Sequence, residues 1–239
     1  MSTSKPFKST IGRKVIMAIS GIFLMLFIVV HLGGNLTLFV SPELFNSYAH
    51  HLESLGPLLY VAEAGLLALF LFHVITAFLV HAEKKRARPE RYDVVASKGG
   101  PSKNSVASRS MIYTGIILLL FIPAHIWMFK FNAGQEFTYN EVEGEKIKDL
   151  YSVVAEAFRN PYIAFGYAAV MLLLGLHLRH GFWSALQSLG AMCPRASKFI
   201  YSAGLVFAVL MAGGFFVLPL YFFFTGMCGS SCAWTGGVP

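Results

Sequence analysis

Between Tyr162 and Leu189 the chain reads YIAFGYAAVMLLLGLHLRHGFWSALQSL, an apolar run with a histidine, His177, deep inside it. Four more runs of this kind occur: Val15–Val40, Leu58–His81, Met111–Phe131 and Phe199–Thr225. Each has at least about 20 mostly apolar residues, enough for a helix to cross a hydrocarbon core of ~30 Å. In such a core every backbone polar group must find its partner within the chain, which leaves helices or a closed barrel. Runs of this length select the helix. The expectation is an all-α membrane protein, one membrane domain over residues 1–239, built as a bundle of five transmembrane helices.

Composition agrees, with 56% hydrophobic and only 13% charged residues where soluble domains carry roughly 25%. A net charge of +7 can mark nucleic-acid binding, but here the basic residues sit between the apolar runs, so no nucleic-acid partner is expected. They read instead as topology signals. Residues 1–14 hold four Lys/Arg and no acid, residues 82–109 eight Lys/Arg against three acids, and the link GAMCPRASK is basic. Residues 41–56 have two Glu and no Lys/Arg, and residues 132–161 six acids against three bases. The positive-inside rule then places the N-terminus in the cytoplasm and the C-terminus outside. The first run is too long for a signal peptide and lacks a small-residue cleavage site after it. Residues 41–56 read as a polar connection, and EKIKDLYSVVAEAFRNP, with apolar residues at helical spacing, as a short helix near the interface. Cys193 stands alone; Cys228 and Cys232 lie close enough in sequence to pair in an oxidising compartment.

Four runs carry one deep histidine each: His31, His73, His125 and His177. At ~1.5 Å per residue, His31 and His125 lie roughly 21–24 Å from the inner surface along outward-running helices. His73 and His177 lie about 22 Å from the outer surface along inward-running ones. The result is two depth-matched pairs, one near each face. An ionisable residue inside a membrane marks a functional site. Two neutral imidazoles from facing helices supply the axial ligands of a haem. Iron or copper without porphyrin ordinarily recruits carboxylates or thiols as well, and the only acid well inside a span is Glu63. A single membrane histidine is more often packed against a neighbouring helix or set along a proton path, so the paired depths carry the haem reading. A transporter or proton channel would line one face with polar groups, which these spans lack. A haem-free anchor would keep the histidines for packing alone.

The segment HLRHGFWSALQSLG, with His177, Gly181, Trp183 and Ser184, resembles the membrane cytochrome b subunit of succinate:quinone oxidoreductases, in its b558-type branch with two haems on five helices. SGIFLMLFIVVHLGGN around His31 and Asn35, FHVITAF around His73 and AHIWMF around His125 are similar in placement, so the resemblance covers almost the whole chain. It implies an anchor for a cytoplasmic flavoprotein carrying FAD and an iron–sulfur subunit, exchanging electrons with a membrane quinone, menaquinone in this branch, in a bacterial cytoplasmic membrane. It implies His73 and His177 as ligands of the proximal haem b, nearer the iron–sulfur subunit, and His31 and His125 as ligands of the distal one. The span-four segment argues against the cytochrome b of a formate dehydrogenase or nitrate reductase. Succinate oxidation and fumarate reduction share this architecture, and the residues do not choose between them.

Secondary candidates surround these four. His180 follows His177 by three residues on nearly the same face and competes with it as ligand; Arg179 or His180 suits a haem propionate or a quinone oxygen. Glu63, near the outer end of its span, is read either as a proton relay for quinone chemistry or as an interfacial acid. Trp127 and Trp183 suit porphyrin packing or membrane-edge anchoring. Pro123, two residues before His125, allows a bend. His50 and His51 read as exposed, His81 as interfacial, and Ser20, Gly21, Gly33, Gly34 and Gly175 as close-packing positions.

Overall fold

The computed structural model describes residues 9–87, 106–131, 139–142 and 145–228. Seven α-helices lie among them: α1 Thr10–Leu36, α2 Pro42–Ser54, α3 Pro57–Arg86, α4 Val106–Phe129, α5 Leu150–Arg159, α6 Pro161–Ser188 and α7 Pro194–Cys228. Five of them (α1, α3, α4, α6, α7) are long and apolar enough to cross a membrane, which establishes the all-α five-span architecture. The helices run longer than the apolar stretches because polar residues at their ends are good cappers. Ser9 accepts a hydrogen bond from the Gly12 amide and starts α1 ahead of Val15. Asn160 accepts from Tyr162 and Ile163 with Pro161 at the first position, where its missing N–H costs nothing. The α3 helix continues through Lys84, Lys85 and Arg86, cations suited to a helix C-terminus.

Two connections are more ordered than expected. Residues 41–56 contain α2 rather than only a polar link: Ser41 caps it through the Leu44 amide, Pro42 opens it, and Phe45 and Asn46 are buried. The segment EKIKDLYSVVAEAFRNP divides. Glu145–Lys148 forms a strand paired antiparallel with Tyr139–Val142, with Val142 opposite Glu145, and the helix begins only at Leu150 under an Asp149 cap. Cys232, the candidate partner of Cys228, and most of the basic 82–109 segment lie outside the described residues.

α1 and α4 run from one face, called here the near face, to the far face, and α3 and α6 return. At the near face Arg13 of α1 forms an ion pair with Glu83 of α3, to which Thr10 also donates. At the far face Lys130, just after α4, pairs with Glu63 of α3. α6 packs most extensively on α7, through Ala164, Ala168, Ala208 and Ala212. There a Cβ on Gly175 would stand 2.9 Å from the Ala212 Cβ, so small residues set the interhelix distance. α1 packs on α3 and on α6, and α4 on α6. Large apolar side chains such as Phe23, Leu67, Leu120 and Val209 point outward, as a lipid-facing surface requires.

The far face is covered by α2, the hairpin and α5. Leu38, Phe45, Val154, Phe158, Ala164, Leu218 and Phe222 form one apolar cluster beneath this cap. Asn46, only 1% exposed, donates to Asp149 Oδ1 at 2.8 Å and accepts from the Tyr151 amide at 2.8 Å. Asp149 also accepts from the Ser152 amide and hydroxyl. Burial, with Tyr221, Glu43 and Asp149 nearby, raises the Tyr151 phenol above its ordinary pKa.

Candidate functional site

The packing order α3–α1–α6–α4 makes a four-helix arrangement with α7 behind α6. α3 and α4 close it only loosely, meeting at the far-face ion pair. The histidines join diagonals of this arrangement. His73 of α3 faces His177 of α6 with ring centroids 6.3 Å apart and planes at 68°. His31 of α1 faces His125 of α4 at 5.9 Å and 84°. The depths counted along the sequence thus bring together the two expected pairs.

No hydrogen bond joins the rings of either pair. Two imidazoles sharing an N–H···N bond of ~3 Å would have centroids about 5 Å apart. Two imidazoles on opposite sides of one metal ion, each at a metal–nitrogen distance of ~2 Å, would have centroids roughly 6 Å apart. The observed separations match the second case. The same donor set fits a haem. A bare transition-metal ion takes about four protein ligands, and no group of three or more His, Cys, Asp or Glu converges among the described residues. Iron in a porphyrin needs only the two axial donors each pair offers.

The near-face pair is held from behind. His73 Nδ1 lies 3.2 Å from the Met17 carbonyl, which can only accept, so Nδ1 carries the proton and Nε2 has a free lone pair. His177 Nδ1 lies 3.2 Å from Thr114 Oγ1. The Ser110 and Met111 carbonyls lie 3.2 and 3.1 Å from the Thr114 hydroxyl; with its proton given to either one, the oxygen accepts from His177 Nδ1–H and Nε2 is again left as the lone-pair nitrogen. Gly21 lets α1 approach this closely, because a Cβ there would stand 3.2 Å from His73 Cε1 and 3.3 Å from Nδ1. Sequence reasoning treated Gly21 as packing and passed over Thr114. The available signal is a hydroxyl three residues into an apolar span, at the depth of His177.

The far-face pair sits among aromatic rings instead. Phe27 and Phe215 lie against His31, at 5.4 and 5.6 Å between centroids. Phe121, Phe129 and Tyr167 surround His125. His31 has no side-chain hydrogen bond among the described residues, and His125 Nδ1 is buried without a partner.

The remaining candidates separate clearly. His180 does not face His73; its ring packs on Trp183 at 4.6 Å, with a buried Nδ1 that has no partner. His177 is therefore the residue paired with His73. Arg179, two residues beyond His177 and so turned about 200° from it round α6, makes no hydrogen bond or ion pair among the described residues. Glu63 is paired with Lys130 and partly exposed. Trp183 is buried between His180 and Tyr201, away from a membrane-edge position, whereas Trp127 is exposed beside Phe131. His51 is exposed, bonded to the Ser47 carbonyl, and His81 is exposed as well.

Comparison with family models, with curated proteins and with solved structures returned no match, so a functional reading rests on these residues.

Proposed function

We propose that this chain is the di-haem cytochrome b membrane subunit of a bacterial succinate:quinone oxidoreductase, acting as succinate dehydrogenase or fumarate reductase. The observation that carries the reading is the pair of histidine couples on diagonal helices, with ring centroids 6.3 and 5.9 Å apart. His73 and His177 would hold one haem b near the near face, and His31 and His125 the other near the far face. When bound, haem supplies a one-electron redox couple at each level. The protein's part is to present Nε2 lone pairs, to fix the ring tautomers at Met17 and Thr114, and to exclude water from the far-face pair with phenylalanines. Arg179 and His180, which follow His177 closely in the chain, are suited to a propionate carboxylate.

The levels lie about 15 Å apart along α1, measured from Gly21 against His73 to His31, so the two redox centres would be separated by about half of a ~30 Å hydrocarbon core. The near face gathers Arg13, Lys14, Lys84, Lys85, Arg86 and Arg195 at its helix ends. By the positive-inside rule it faces the cytoplasm, where a flavoprotein with FAD and an iron–sulfur subunit would dock. The quinone, menaquinone by the resemblance, would react toward the far face. Glu63, held by Lys130, serves as an interfacial ion pair there.

The test is a dithionite-reduced minus oxidised spectrum with a pyridine haemochrome assay on the purified protein. Two haem b per polypeptide, with the α-band of a low-spin bis-histidine centre, is the expected result. A value near zero would overturn the proposal, and a co-purifying flavoprotein with covalent flavin would distinguish this complex from other quinone-linked ones.

A further inference from the structure

The two histidine pairs have nearly equal separations and opposite surroundings. Both near-face rings donate Nδ1–H to an oxygen, Met17 O and Thr114 Oγ1, each at 3.2 Å. Neither far-face ring has such an acceptor among the described residues. An acceptor on Nδ1–H draws the proton away from the ring and increases the electron donation of Nε2, as outer partners of metal-bound histidines do. Stronger donation favours the more positive oxidation state of a bound metal.

We propose that Thr114 is a positioning and tuning residue: through its hydrogen bond to His177 it fixes the ligating tautomer and lowers the reduction potential of the near-face centre relative to the value the same ligands would otherwise give. The proposal rests on the haem reading above. Its geometry is specific to this residue. Thr114 is 2% exposed, and two α4 carbonyls one turn back lie within reach of its proton. A hydroxyl that donates there presents its oxygen lone pairs to His177 Nδ1–H. The Met17 carbonyl performs the same service for His73 from the backbone, where side-chain replacement leaves it in place, so Thr114 is the replaceable half of the pair.

The experiment is a potentiometric titration, followed in the haem α-band, of membranes containing the full-length protein. Thr114→Val keeps the shape and removes the acceptor; Thr114→Ser keeps the hydroxyl. The expected result for Thr114→Val is a roughly tenfold rise in the reduced-to-oxidised ratio of one haem at fixed ambient potential, ~59 mV for one electron. The other haem stays unmoved, and Thr114→Ser restores the original potential. Should Thr114→Val fail to assemble, Thr114→Ala removes the same acceptor with no added bulk and carries the same expected sign. Two haems with both potentials unchanged in the hydroxyl-free variant, or both shifted alike, would overturn the tuning role and leave the haem reading standing. Absence of haem from the unaltered protein would instead overturn the haem reading itself.

Discussion

Replacing His177 by alanine tests whether the two pairs are separate sites. The near-face pair touches α1 at Met17 and Gly21 and α4 at Thr114 and Gly115. The far-face pair lies at His31 and His125 on the same two helices. The intervals are about 15 Å along α1 from Gly21 and ~16 Å along α4 from Thr114, and among the described residues the two pairs share no hydrogen-bond partner and no ring neighbour. Sites separated by more than ~7–10 Å without shared partners are independent within about 0.5 kcal/mol, close to a twofold change in occupancy. His177→Ala, like His73→Ala, should therefore take haem from two to one per polypeptide and leave the far-face spectrum and potential in place. His31→Ala and His125→Ala should remove the other. The assay is a pyridine haemochrome count against protein, with a redox titration of what remains. Loss of both haems from any one variant that still accumulates in the membrane would refute the independent-pair geometry.

Two further substitutions probe the scaffold. Asn46→Ala strips the Tyr151 amide of its acceptor and Asp149 of a donor in a buried position, a cost of about 3 kcal/mol. Amide exchange in α5 should accelerate by roughly a hundredfold while haem content holds, and unchanged protection would show that α5 is held by its apolar cluster alone. Gly21→Val places a branched side chain where even a Cβ would lie 3.2 Å from His73, an overpacking cost of about 1–3 kcal/mol. The haem count should fall at the near face only, and a variant with both haems at unaltered potentials would mean that α1 and His73 are not in register there.

The five spans and both histidine couples were legible in the sequence because each depends on one variable, position along a helix axis. Apolar length gives the helix, and counting residues gives the depth. What escaped depends on rotation about the axis or on contacts between remote segments. Thr114 differs from other hydroxyls in these spans only in facing His177. His180 and His177 share a helical face, so the sequence separates them only by motif and depth, which favour His177, and α3 stands where His73 meets that ring. The α2 cap looked like a polar link because only Phe45 and Asn46 turn inward, and the partner that makes burying Asn46 favourable, Asp149, lies a hundred residues later. The strand at Glu145–Lys148 alternates over too few residues to distinguish its pattern from the start of a helix.

The diagonal placement has a structural consequence for α3. This helix packs chiefly on α1, buries only Thr76 fully, and is otherwise tied by Arg13–Glu83 at one end and Glu63–Lys130 at the other. Partly exposed ion pairs of this kind contribute roughly 0–1 kcal/mol each, and apolar contact with lipid does not drive helices together. Across the bundle, the hold of α3 on α6 includes His73, whose ring faces His177. A metal bridge at that point would tie α3, which packs on α1, directly to α6, which packs on α1, α4 and α7. Ligation and assembly would then be a single event, as in other sites where metal-binding free energy is also folding free energy. On the other diagonal, His31 and His125 would join α1 to α4, which packs on α6, so the two bridges together would tie all four helices of the arrangement.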